Sequence, residues 1–194
     1  MQMKKVLIIQ GNPIEDSYGS KLAEVYAKGA AESGAEVREL VLARMDFDPN
    51  LSGGYKGKQP LEPDLQEAQE LISWADHMVF VYPNWWGGMP ALLKGFIDRV
   101  FLPGFAFKYR RNSPLPEQLL KGKTARLIVT MDSPNVYYRF YLGQPGHQMM
   151  KHSILKFCGV GKVHATNITQ LRKMPEASRK QWLERVHRLG RKLA

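Results

Sequence analysis

At 194 residues, with 44% hydrophobic and 24% charged side chains, the chain suits one domain with a sizeable core and lies outside disordered or fibrous compositions. A single cysteine, Cys158, excludes an internal disulfide and any multi-cysteine zinc or iron–sulfur centre, and suits a reducing cytoplasm. The net charge of +10 is spread along the sequence, with some enrichment in the last helix and no nucleic-acid-binding motif; a solvated helix face is the simpler account, a field favouring an anionic substrate or an acidic protein partner is the functional one, and a nucleic-acid partner is not expected.

The N-terminal Met1-Gln2-Met3-Lys4-Lys5 leads into an apolar stretch too short for a signal peptide or a membrane span. Lys4 to Gln10 reads as a strand, and Leu22, Val25, Tyr26 and Gly29 repeat at helical spacing up to Ser33-Gly34. Glu36 to Leu42 predicts a second strand, and Asp46 to Pro63, rich in Gly, Pro, Asn and Ser, a long surface excursion. Leu65, Ala68, Leu71, Ile72 and Ala75 mark a helix before a third strand, His77 to Tyr82. Leu92, Leu93, Phe96, Ile97, Val100 and Phe101 form the next helical stripe; a Pro-rich connection then leads to a buried-type strand, Ala125 to Met131. His147 to Phe157 is a further helix candidate, Val163 to Thr169 a fifth strand, and Trp182, Val186, Leu189 and Leu193 the inner stripe of a closing helix. Strict alternation predicts one α/β domain over 1–194, a five-stranded parallel sheet covered on both faces, in the order 2-1-3-4-5. Ligands in such sheets sit beyond the carboxyl ends of the strands, where the loops after Gln10 and Tyr82 meet.

The first of these loops, Gly11-Asn12-Pro13-Ile14-Glu15-Asp16-Ser17-Tyr18-Gly19-Ser20, leads into a helix expected near Lys21. Helix N-terminal N–H groups with serine hydroxyls suit a phosphate, and Asp16 or Ser17 as an N-cap explains the same residues without a ligand; both readings stand. Gly-x-Gly-x-x-Gly is absent, so a Rossmann dehydrogenase is not expected, and Gly53-Gly54-Tyr55-Lys56-Gly57-Lys58 lacks the spacing and the hydroxyl residue of a P-loop.

The run Val81 to Phe107 is strand, aromatic loop and apolar helix. Trp85 and Trp86 beside Gly87-Gly88 offer flat apolar surface next to bare backbone, which suits a flavin or similar heterocycle, although large aromatic pairs more commonly serve as core or interface. Thr130 to Tyr138 closes the fourth strand with small and polar groups at the same rim. His77, His152, His164 and His187 show no ligand spacing, so no metal is expected, and Cys158 reads as a buried inert thiol.

Four passages carry a family resemblance: Ser17-Tyr18; Tyr82-Pro83-Asn84-Trp85-Trp86-Gly87 through Leu93-Lys94-Gly95-Phe96 to Arg99-Val100-Phe101; Gly104-Phe105-Ala106; and Leu155-Lys156-Phe157-Cys158-Gly159. In them the chain resembles the flavodoxin-like NAD(P)H quinone reductases, the family of DT-diaphorase and its shorter bacterial relatives. The resemblance implies a tightly bound flavin, FMN or FAD, with FMN favoured because the long C-terminal extension of the animal enzymes is missing. That flavin takes a hydride from NAD(P)H and passes two electrons to a quinone-like acceptor, with the two substrates binding in alternation. Carried over by position, Asn12, Ser17, Tyr18, Gly19 and Ser20 hold phosphate and ribityl groups. Pro83, Asn84, Trp85, Trp86 and Gly87 contact the ring, with Met131, Asp132 and Ser133 along its other edge in place of the family's Thr-Thr-Gly-Gly. The Tyr and His that balance charge on the reduced ring are expected among Tyr137, Tyr138, Tyr141 and His147, with Tyr138 and His147 the pair chosen. A homodimer is implied, with Phe101 to Phe107 as core or as a dimer surface. The alternatives are an electron-carrier flavodoxin and an ancillary subunit docked on a membrane potassium-efflux transporter.

Overall fold

Val6, Leu7, Ile8 and Ile9 are all fully buried, as a strand covered on both faces requires. In the computed structural model, which describes residues 3–57, 59–111, 113 and 115–193, they form the middle of strand β1 (Lys5–Gln10). Helix α1 (Tyr18–Glu32) follows, then β2 (Glu36–Val41), α2 (Pro63–Trp74), β3 (His77–Pro83) and α3 (Ala91–Val100). A small antiparallel ribbon of β4 (Phe107–Lys108) and β5 (Glu117–Gln118) interrupts the Pro-rich connection. After it come β6 (Thr124–Thr130), helix α4 (Pro145–Gln148), which runs on as π-helical turns over Met149–Lys156, β7 (Val163–Ile168) and α5 (Glu176–Lys192).

The main sheet runs β2-β1-β3-β6-β7, all parallel, which is the expected 2-1-3-4-5 order counted over its own five strands. Alternate residues of β1 divide the core. Leu7 and Ile9 join Leu65, Ile72, Phe80, Leu93, Phe96 and Leu127 under α2 and α3, whereas Val6 and Ile8 join Leu22, Tyr26, Val79, Ile128 and Val186 under α1 and α5. Helices α1 and α5 touch backbone to backbone: a Cβ at Gly29 would run into the His187 carbonyl, and one at Gly190 into the Tyr26 carbonyl. Trp182, Leu189 and Leu193 pack against this cluster as the helical stripe predicts.

Three features depart from the sequence pattern. The ribbon is missed because two-residue strands carry no period. Helix α1 begins at Tyr18 rather than near Lys21, because Ser17, not Asp16, caps it. The segment read as one helix over His147 to Phe157 begins at Pro145, after Gln144 in the left-handed region, and widens into π-turns after Gln148.

The Asp46 to Pro63 excursion is anchored. The fully buried Arg99 of α3 donates to both Glu62 carboxylate oxygens, Nη1–Oε1 at 3.1 Å and Nη2–Oε2 at 2.7 Å, and to the carbonyls of Pro60 and Asp48. Gly95 accepts Pro49 in a space that a Cβ would fill. Lys58, the end of the run that superficially suggests a P-loop, lies outside the described residues, and Gly54–Lys56 form a single 3₁₀ turn.

Candidate active site

Gly11 ties the first loop to the third strand through its N–H to the Val81 carbonyl at 2.8 Å, with the Leu93 side chain in the space a Cβ would need. Asn12 Oδ1 accepts from the Ile14 N–H at 3.1 Å, and Ser17 Oγ accepts from the Ser20 N–H at 3.2 Å as the cap of α1. Ser20 Oγ lies 3.1 Å from Ser17 Oγ and donates to the Glu15 carbonyl. A side chain at Gly19 would start 3.2 Å from Ser17 Oγ and 4.0 Å from Asn12 Nδ2, so glycine leaves a notch edged by a hydroxyl and an amide at a helix N-terminus. Capping and anion binding therefore use the same residues. Tyr18 turns away: its hydroxyl donates to the Arg179 carbonyl at 2.7 Å and the Arg179 guanidinium lies 5.6 Å from its ring centre.

The aromatic loop is a tight hairpin. Trp85 and Gly88 exchange N–H···O bonds of 2.9 Å in both directions, and the two residues between, Trp86 (φ 53°) and Gly87 (φ 83°), are both left-handed, the geometry of a type I′ turn. Asn84 N–H donates to the Thr130 carbonyl at 2.7 Å and fixes the turn to the end of β6. Trp86 is fully exposed and Trp85 is 44% exposed, so neither serves the core; both rings stand at the carboxyl edge of the sheet. Holding a bulky residue at positive φ costs on the order of 1 kcal/mol, a strain found where backbone geometry serves a site.

In the third loop, Met131 is buried, with its N–H on the Ile168 carbonyl and its carbonyl on the Leu171 N–H, so its polar groups are already engaged. The Asp132 carboxylate receives the Arg172 N–H at 2.8 Å and pairs with its guanidinium at 3.2 Å, while Ser133 is half-buried.

Behind the aromatic turn the structure pairs Tyr138 with His147. The Tyr138 hydroxyl, fully buried, lies 3.0 Å from His147 Nδ1; His147 Nε2 lies 2.7 Å from Asn167 Oδ1, and Asn167 Nδ2 donates to Asn135 Oδ1 at 3.0 Å. Gly146 closes the arrangement, since a Cβ there would sit 2.7 Å from the Gly87 carbonyl and 3.1 Å from the Tyr138 hydroxyl. Tyr137 and Tyr141 instead stack on each other in the open, ring centres 4.9 Å apart. Burial raises the Tyr138 pKa, with the backbone N–H groups of His147 and Gly146 pulling it back down. Burial likewise lowers that of His147 against the Asn167 hydrogen bond, so a neutral imidazole is favoured. Tyr82, at the end of β3, buries a hydroxyl with no partner among the described residues.

Sequence reasoning passes over Asn167 and Gly146. The one signal for Asn167 is an amide within a β-strand, where Asn is disfavoured. Among the described residues no group of three or more His, Cys, Asp or Glu is placed to hold a metal, and no helix is long and apolar enough to cross a membrane. Cys158 is buried, with its thiol pushed up to about 12, beside an apolar cavity of about 310 Å³ lined by Ile97, Phe101, Phe107, Tyr109 and Phe157.

The family described as flavodoxin-like fold matches residues 4–192. A Haemophilus influenzae protein named as an uncharacterized NAD(P)H oxidoreductase is 30% identical over 175 residues, covering 87% of this chain and 84% of its own. The ribosyldihydronicotinamide dehydrogenase [quinone] of Mus musculus is 30% identical, covering 87% of this chain and 82% of its own. The solved NAD(P)H:quinone oxidoreductase of Methanothermobacter marburgensis superposes with a TM-score of 0.82 at 26% identity, over 99% of this chain and 98% of that one. The chain thus belongs to the flavodoxin-like fold family, and within it to the oxidoreductases.

Proposed function

We propose that the chain is a flavin-dependent NAD(P)H oxidoreductase that reduces quinone-like acceptors by two electrons, its two substrates binding in alternation. The observation that carries this reading is the meeting, at the carboxyl ends of β1, β3 and β6, of a notched helix N-terminus and a strained turn that presents Trp86. These residues fit a flavin mononucleotide. Asn12, Ser17, Gly19 and Ser20 suit its phosphate and ribityl chain, and Pro83 to Gly87 suit its ring, by stacking on the tryptophans and through the bare backbone of the turn. When bound, the isoalloxazine supplies hydride acceptance from NAD(P)H and delivery to the acceptor. Tyr138 and His147 hold a proton between a phenol oxygen and an imidazole nitrogen directly behind that turn. The exposed Val136, Tyr137, Phe140 and Tyr141 leave an apolar band beside the site that a second copy of the chain would cover in a homodimer.

The test is an anaerobic absorbance spectrum of the protein reconstituted with FMN, taken before and after NADPH and again after a benzoquinone. Bleaching of the flavin band by NADPH and its recovery on quinone support the reading. Flavin that binds and is not bleached points to a carrier or a transporter-docked subunit, and failure to bind FMN or FAD overturns the site.

A further inference from the structure

The polar chain behind the aromatic turn has a direction. The Tyr138 hydroxyl lies 3.0 Å from His147 Nδ1, and the direction of that contact is set from the other side of the ring. A ring that accepts at Nδ1 and is neutral carries its hydrogen at Nε2, which faces Asn167 Oδ1 at 2.7 Å. The Asn167 amide keeps that oxygen toward the ring because its Nδ2 has an acceptor of its own, Asn135 Oδ1 at 3.0 Å. Reversing the chain would set the Nε2 lone pair against the Asn167 oxygen, two acceptors 2.7 Å apart.

We propose that Asn167 is a positioning residue: by accepting from Nε2 it holds His147 in the Nε2–H tautomer, which leaves the Nδ1 lone pair to accept the Tyr138 O–H hydrogen bond and so fixes where that hydroxyl points. The opposite tautomer has no lone pair at Nδ1 and cannot accept it. The tautomer assignment rests on the hydrogen-bond geometry together with a neutral ring; its use in catalysis rests on the oxidoreductase reading above.

The ring nitrogens report the tautomer directly by ¹⁵N NMR of the histidine-labelled protein without added flavin. Wild type is expected to show Nε2 protonated and Nδ1 bare. Asn167→Leu, of similar size and without an acceptor, is expected to show a mixture of tautomers, and Asn167→Asp, which restores an oxygen, to return the ring to Nε2–H. Nδ1–H in wild type, or an unchanged ring in folded Asn167→Leu, overturns the assignment. Loaded with FMN, Asn167→Leu is expected to be reduced by NADPH about tenfold more slowly than wild type, with Asn167→Asp recovering most of the rate; equal rates remove the catalytic role. A wild type that binds FMN but is never reduced counts against the oxidoreductase reading and leaves the NMR result to decide what Asn167 does.

Discussion

Arg99 and Glu62 face each other fork to fork, with the guanidinium fully buried on α3 and the carboxylate partly exposed at the start of α2. Two further carbonyls from the excursion accept from its Nη atoms, although Nε is buried without a hydrogen-bond partner among the described residues, so one side chain holds Asp48, Pro60 and Glu62 against the helix that follows the aromatic turn. Removing the carboxylate leaves a buried cation short of its counter-charge. Glu62→Gln is expected to lower unfolding free energy by about 2 kcal/mol, below the range for a wholly buried pair because Glu62 reaches solvent. Urea melts followed by circular dichroism measure it, and limited proteolysis should cut the variant first within residues 46–63. Burial opposes ionisation of Glu62, but hydrogen bonds from Arg99 and the backbone hold its carboxyl below the usual range. The contribution is therefore present above the unfolded carboxyl pKa and fades as pH falls through the folded one.

His77 gives a second pH dependence in a higher window. Its ring sits between the Tyr26 hydroxyl at 3.2 Å and Thr124 Oγ1 at 2.7 Å, and burial first, then Arg126 and Lys4, lower its pKa from 6.5 to about 4. A base depressed in the fold binds its proton more readily when unfolded. Stability is therefore full above pH 6.5 and is lost as pH falls toward 4. Between pH 7 and pH 5 the loss is about 2 kcal/mol. Wild type should show it in urea titrations at the two pH values and His77→Gln should not; parallel slopes would assign the acid sensitivity elsewhere.

Trp86 separates stability from binding. Replacing it with glycine removes the positive-φ penalty, so the melting temperature of the protein without flavin should rise by a few degrees, for a gain of about 1 kcal/mol. The same change removes one stacking face, and FMN affinity, read by quenching of flavin fluorescence, should fall at least about tenfold. Unchanged affinity with the higher melting point would show that the indole stands at positive φ for some other purpose.

Gly19 offers a test of the phosphate notch. Alanine there fits an ordinary helical φ and meets only Ser17 Oγ at close range, so folding should be unaffected or slightly favoured. The added methyl group fills the space between Ser17 and Asn12. FMN binding should weaken while riboflavin, which has no phosphate, binds as before. Equal losses for both ligands would move the phosphate away from this loop.

The strands were legible because their chemistry is one-dimensional: a parallel strand buried on both faces must read as an uninterrupted apolar run, as Val6 to Ile9 and Met78 to Tyr82 do. The aromatic loop could be located for the same reason, between such a run and a helical stripe. Its conformation could not, since type I′ turns are signalled by Asn-Gly or Asp-Gly and a Trp-Gly pair carries no such mark. The choice among Tyr137, Tyr138 and Tyr141 was open to spacing alone because the π-helical turn over Tyr137–Tyr141 abandons the 3.6-residue period. Arg99 sits in an apolar stripe where its charge argues for solvent, and its partners lie 37 residues or more away, a separation no local pattern reports.

The glycine crossing of α1 and α5 bears on how the chain is made. Helix α1 and the inner residues of β1 leave the ribosome well before the surface that covers them, around Val186 and Gly190. Until then α1 packs only on the sheet, with Tyr26 against His77, and its α5-facing side stays uncovered through most of synthesis. It is this helix that a holding chaperone would meet, and a chain stopped short of Val186 would expose it permanently.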